Sequence, residues 1–301
     1  TPSASASVTA SRTPGPVTTR TPAPVPSFAQ NDLVARVDLH GDTAGRFTTM
    51  MLSADGTYVT TSADWAADRY VRRLAAEGIA LVRDRIMATR LFAADASYGL
   101  RLKPGADPPG HGASGVQVSF WDGTRVVHVG ATLLIAGDER YYDLPPEAAT
   151  LIALAQALRA PETWLPATAW RDAAARPYVA AYYRVVIGGT PAAAQEPPFD
   201  LAFVAWPFAT RLASFGDVVV PAGEVLVGGP QLWVVEGPVR CAVLSRDDAL
   251  HIRDALFAAR APIWTYEGDA FAVQGILEGR NTAFIAQPML PASMTCGQDL
   301  A

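Results

Sequence analysis

The sequence predicts an α+β fold, with mixed or antiparallel sheets and a few helices. Three observations carry that expectation. Acidic-Gly pairs at Asp55-Gly56, Asp122-Gly123 and Glu267-Gly268 each lie between short apolar segments, as hairpin turns require. Helix-period stretches are few and well separated, and most open on a Ser-x-Asp cap or an early proline. Between them run short segments that alternate apolar and polar residues.

In chain order, Leu33–Leu39 alternates and reads as a strand. Phe47–Leu52 and Thr57–Thr60 flank Asp55-Gly56 as the arms of a hairpin. Ser62 and Asp64 cap an expected helix from Trp65 to about Ala76, which Glu77-Gly78 interrupts. A second helix is expected over Ile79–Thr89. Residues 93–115 read as a long loop centred on Lys103–Gly112. Val116–Phe120 and Arg125–Leu134 form strands around Asp122-Gly123. Pro146 opens a helix to about Ala160, with a broad apolar face of Leu151, Ile152, Leu154, Ala155 and Leu158. After irregular residues 161–177 comes a strand, Tyr178–Ile187. Gly188–Pro198 is a linker. Short strands follow at Leu201–Trp206, Asp217–Val220, Val225–Val227, Leu232–Val235 and Arg240–Leu244. A helix over Asp247–Ala259 is capped by Ser245, and a hairpin joins Ile263–Tyr266 to Ala270–Ile276.

This organisation divides into a stalk (1–30), an N-terminal α+β lobe (31–189) and a C-terminal α+β lobe (190–301). One order occurs twice: strand, Ser-x-Asp, helix, then an aromatic before an acidic-Gly turn. It runs from Tyr58 through Ser62 and Trp65–Ala76 to Trp121, and from Cys241 through Ser245 and Asp248–Ala259 to Tyr266. Two pseudo-duplicated lobes would produce this order; so would coincidence, since caps and hairpins are common.

The stalk is compositionally distinct. Thr, Pro, Ser and Ala fill 21 of the positions Thr1–Ser27, and no acid precedes Asp32. Such a segment buries too little apolar surface to offset its ordering entropy, and its prolines favour an extended spacer. About 28 extended residues reach roughly 85 Å. The start at Thr1 is expected to follow removal of an upstream segment, with a lipid anchor just before it. An order for Thr1–Ser27 is expected only along another protein.

The remaining chain can bury a substantial core. Half of the residues are apolar, 18% are charged and mean hydropathy is +0.15. No apolar run reaches the length of a membrane span. Net charge is −5 and no basic stripe exists, which argues against nucleic acid and against direct docking to an anionic membrane. Lys occurs only at Lys103 and Asn only at Asn31 and Asn281. A GC-rich genome or avoidance of thermolabile Asn accounts for this, and the two are compatible. Cys241 and Cys296 belong to no metal or C-x-x-C pattern; in an oxidising compartment they invite one disulfide.

Candidate chemistry is sparse. Asp38, His40 and Asp42 alternate, so a strand would aim all three at one side as a partial metal site; a strand entering a polar turn looks the same. Gly110–Gly115 holds Ser114 among glycines but lacks the spacing of a nucleophile elbow or a phosphate loop. His128, on a strand, reads as a hydrogen-bonded, half-buried residue, and His251 as a solvent-side helix residue. Asp247 and Asp248 suit a helix N-terminus better than a glycosidase pair. Trp164 and Trp170 either form a partner patch or plug a sheet end, the second being favoured.

Several of these segments together are similar to a group of secreted or lipoprotein-like proteins of GC-rich bacteria. They are Asp55-Gly56, Arg73-Leu74 with Glu77-Gly78, Trp121–Thr124 with Val129, Trp206-Pro207, Arg240-Cys241, Ser245 with Asp248-Ala249, and Pro288–Pro291 before Cys296. The resemblance is a loose pattern over residues 31–296. It implies export and a Cys241–Cys296 pair, and brings no activity. The expectation is therefore a non-catalytic, lipid-anchored extracytoplasmic protein with no cofactor. It would bind other proteins of a membrane-associated assembly; the sequence indicates neither a respiratory nor a photosynthetic complex in particular. The alternative is a secreted hydrolase or metal-dependent enzyme using Asp38, His40, Asp42 and the Gly110–Gly115 loop.

Overall fold

A computed structural model of the chain describes residues 20–24, 29–41, 45–61, 69–107, 114–134, 137–191, 203–220, 238–258, 263–265, 271–277, 280–291 and 296. The elements are β1 (Leu33–Gly41), β2 (Gly45–Ser53), β3 (Thr57–Thr61), β4 (Arg69–Arg73), α1 (Ala76–Ala88), β5 (Ala96–Tyr98), β6 (Arg101–Leu102), β7 (Gly115–Trp121), β8 (Val126–Thr132), β9 (Tyr142–Asp143), α2 (Pro146–Arg159) and β10 (Arg176–Pro177). They continue with β11 (Tyr182–Pro191), β12 (Phe203–Val204), β13 (Asp217–Val220), β14 (Val239–Ser245), α3 (Arg246–Ala258), β15 (Ile263–Thr265), β16 (Phe271–Leu277) and β17 (Arg280–Pro288). The fold is α+β, with mixed, mainly antiparallel sheets.

The first sheet has the order β10-β4-β3-β2-β1-β7-β8-β5. The β2–β3 and β7–β8 hairpins form where the turn chemistry is local. Gly56 takes φ +86°, and a Cβ there would lie 2.5 Å from the Leu74 carbonyl oxygen. Asp122 accepts the N–H groups of Thr124 (2.7 Å) and Arg125 (2.9 Å), closing the other turn. Helices α1 and α2 cover one face. Val82 and Ile86 of α1, with Leu151, Leu154 and Leu158 of α2, pack on Val37, Val118, Phe120 and Val129. Each such side chain buried contributes roughly 1.5–3 kcal/mol. The Tyr58 hydroxyl donates to the Leu158 carbonyl, and burial pushes that phenol well above its ordinary range. Trp164 and Trp170 pack against this core, as plugs rather than a partner patch. Arg85 stacks over Trp164 at 4.5 Å and Arg72 over Trp170 at 4.1 Å.

The second sheet has the order β12-β16-β17-β11-β14-β13, with β15 on β16. Alternation along β11 divides its faces. Tyr183, Val185 and Ile187 join the core beneath α3, while Val186 faces Val239 and Cys241 on the other side. Cys241 is bonded to Cys296, with Cα atoms 5.5 Å apart, as expected. Ser245 caps α3: its Oγ accepts the Asp248 N–H at 3.1 Å and its hydroxyl donates to Asp248 Oδ2 at 2.8 Å.

Several expectations are corrected. The helix expected over Trp65–Ala76 is replaced at Arg69–Arg73 by β4, whose Tyr70 and Val71 pair with Thr60 and Val59. Residues 62–68, with the supposed cap, lie outside the described residues. The first copy of the proposed duplication thus has a strand where it needs a helix. Glu77-Gly78 does not interrupt a helix but lies in the first turn of α1. Residues 93–115 contribute β5, parallel to β8, and β6, paired with β9. β11 begins at Tyr182 and runs through Gly188–Pro191, part of the expected linker. It belongs to the second sheet, so the change of sheet falls between Pro177 and Tyr182 rather than at 189/190. β17, unforeseen, lies at the centre of that sheet. The strands expected at Val225–Val227 and Leu232–Val235 lie outside the described residues.

Candidate functional site

The face of the first sheet turned away from α1 and α2 carries an unusual polar patch. Register builds it in rows across β1, β7 and β8: Arg36, Ser119 and His128; Asp38, Gln117 and Gly130; His40, Gly115 and Thr132. Alternation puts these side chains opposite Val37, Val118 and Val129. The sequence signal is therefore a polar residue at every second position of strands that are otherwise apolar, Arg36-x-Asp38 and Gln117-x-Ser119, which was missed.

Arg36 and Asp38 are 3% and 1% exposed, so each charge needs its partner. Arg36 Nε lies 2.9 Å from Asp38 Oδ2, and the Thr48 hydroxyl donates to Asp38 Oδ1 at 2.7 Å. The first residue of the supposed metal triad is thus an internal ion pair. His40 lies over Gly115, where a Cβ would come within 2.0 Å of its Nε2; only glycine permits that approach. Asp42 lies outside the described residues, among which no three His, Cys, Asp or Glu side chains come together as a metal site.

His128 Nδ1 lies 2.9 Å from Ser119 Oγ and 3.1 Å from Gln117 Nε2. An amide nitrogen can only donate, so Nδ1 accepts and the neutral ring carries its proton on Nε2. A hydroxyl beside an imidazole is the geometry of an activated nucleophile. Here two features oppose that chemistry. Ser119 is fully buried, out of reach of a substrate. The nearby carboxylate, Asp95, accepts the His128 backbone N–H at 2.8 Å, so it does not orient the ring. That bond, with Arg125 at 3.0 Å, holds the Asp95 carboxyl below the usual range. The patch therefore locks three strands together. His128 is the hydrogen-bonded, half-buried residue that the sequence predicts. Ser114 lies just before β7, and residues 108–113 of the Gly-rich loop lie outside the described residues.

A second polar site joins the N-terminal segment to α3. Arg20 pairs with Phe208 in a parallel bridge; its N–H donates to the Pro207 carbonyl and its carbonyl accepts from Ala209. Its guanidinium forms an ion pair with Asp248, which is 2% exposed, and the Ala23 N–H donates to Asp248 Oδ2 at 2.9 Å. The end of the expected stalk thus docks on its own chain. Asp248 thus holds the Ser245 cap in place and also anchors this strap. His251, one turn on, turns inward rather than toward solvent: its Nε2 is buried with no partner among the described residues, and its ring meets Phe208 edge-on at 6.4 Å.

No protein-family model, curated protein or solved structure matches this chain. Function therefore has to be argued from the residues themselves. Among the described residues no helix is long and apolar enough to cross a membrane.

Proposed function

We propose that this protein is a non-catalytic extracytoplasmic binding or accessory subunit of a membrane-associated assembly, tethered by a lipid anchor upstream of Thr1. The observation that carries the reading is the Cys241–Cys296 disulfide, because such bonds form and persist in oxidising compartments. The Thr/Pro/Ser/Ala composition of Thr1–Ser27 supports a tether. Two further features favour binding over catalysis. Arg36 and Asp38 neutralise each other, and Ser119 is sealed beneath His128. Mass spectrometry of the N-terminus of protein taken from its native membrane tests the anchor: a diacylated residue ahead of Thr1 is expected, and an unacylated N-terminus overturns the tether.

A further inference from the structure

The outer edge of the first sheet carries two exposed arginines whose guanidiniums pair with no acid among the described residues. β10 is the edge strand, and its register puts Arg176 opposite Val71 on β4, while Thr57 on β3 lies opposite Arg73. Val71 and Arg73 are two residues apart and share a face. Arg176 and Arg73 are therefore diagonal neighbours, with Cβ atoms about 7 Å apart. With Thr57, Val71, Pro177, Tyr178 and Val179 they line a cavity of about 230 Å³.

Among the described residues neither guanidinium has a hydrogen-bond or ion-pair partner. The nearby acids bond to other groups than the two guanidiniums. Asp55 accepts the Thr57 N–H and hydroxyl, both at 2.9 Å, and Asp172 accepts the Arg73 N–H at 2.9 Å. Beside the cations Val179 is 62% exposed, one of the few large apolar side chains so placed.

We propose that this groove receives an extended acidic segment of a partner protein, one carboxylate lying between Arg73 and Arg176 and an apolar neighbour covering Pro177 and Val179. Charge complementarity selects the occupant. The protein carries a net −5, so an acidic chain is repelled over most of its surface and drawn to the two free arginines. Paired guanidiniums hold a carboxylate through charge-assisted hydrogen bonds. The cavity is below the roughly 300–1,000 Å³ of small-molecule sites, and suits one or two side chains of a longer ligand. The proposal deepens the reading of the protein as a binding subunit and rests on it, but not on the lipid anchor.

The test is calorimetric titration of the full chain with the blocked peptide acetyl-Glu-Val-Glu-Val-amide, and separately with inorganic phosphate. Expected is saturable peptide binding that weakens about tenfold in each of Arg73→Gln and Arg176→Gln and falls with added salt. Both arginines are exposed, so the variants should keep the wild-type melting temperature; if Arg73→Gln does not fold, Arg176→Gln decides. Absence of saturable binding, equal binding by the variants, or phosphate bound as tightly as the peptide each overturns the proposal. An acylated N-terminus alongside such a failure would leave the tethering intact and remove only the groove.

Discussion

The two sheets are held by different means. The first is closed by packing: α1 and α2 cover one face, and neither helix has a side-chain N-cap or a covalent tie. Among the described residues the second has one α-helix, α3, and three fastenings besides its core: the Cys241–Cys296 bond, the Ser245 cap and the strap at Asp248. Where two helices supply a broad apolar cover, packing suffices; where one does, the chain adds staples. The sheets meet where β17 ends. Leu290 packs on Leu33, Met51, Val59 and Val71 of the first sheet. The Tyr178 hydroxyl donates to the Met289 carbonyl at 2.7 Å, and Arg69 donates to the Pro288 carbonyl at 3.0 Å.

The largest expected effect falls on the covalent staple. Its ends are 55 residues apart, and the chain-entropy model assigns such a loop about 4 kcal/mol. Reduction should speed amide exchange in β11, β14, β16 and β17 while leaving β1, β7 and β8 protected. Hydrogen exchange with and without reductant measures this, and equal loosening of both sheets would erase the distinction between them.

A smaller effect is expected at the strap. Ala23→Pro removes the N–H that Asp248 Oδ2 accepts but leaves the Ser245 cap in place, and should cost about 1–2 kcal/mol. Trypsin should then cut after Arg20 about tenfold faster than in the wild type. Unchanged cleavage would show that the strap adds nothing to the second sheet.

The smallest effect concerns the seam between the sheets. Burial pushes the Tyr178 phenol from 10.0 to about 12, against a small opposing pull from Arg69. The folded state thus holds this proton more tightly than the unfolded one. The contribution is present in full below pH 10 and is lost as pH rises through 12. In Tyr178→Phe, urea unfolding followed from pH 9 to pH 12 should show a shallower alkaline loss, together with a baseline loss of about 1 kcal/mol from the missing hydrogen bond. An alkaline limb as steep as the wild type's would place the titrating group elsewhere.

Legibility followed the range of the interaction. The hairpins at Asp55-Gly56 and Asp122-Gly123 could be read because a turn is chosen by the residues in it. The Ser245 cap and Pro146 at the start of α2 are equally local. Arg69–Arg73 could not be read from the Ser62 and Asp64 signal, because its state is decided by its place in the sheet, between β3 and the sequence-distant β10. β17 does alternate buried Thr282, Phe284 and Ala286, but Asn281 and the proline at its end disguised it. Of the candidate site, His128 was legible as a half-buried strand residue. Its contacts with Gln117 and Ser119 were not, since strand register is set by the whole sheet.

The strap has a mechanical consequence. The chain visits the second sheet's domain at Arg20, leaves to build the first sheet, and returns for β11. Near its other end, Cys296 is bonded to Cys241. Tension applied across the two termini therefore passes from Arg20 to Asp248, along the short stretch back to Cys241, and out through Cys296. The first sheet lies on a slack loop in parallel with that path. A pull on the N-terminal end reaches it only after the contacts of Arg20 and Ala23 with Asp248, Pro207 and Ala209 have parted, so that strap is the fuse of the molecule.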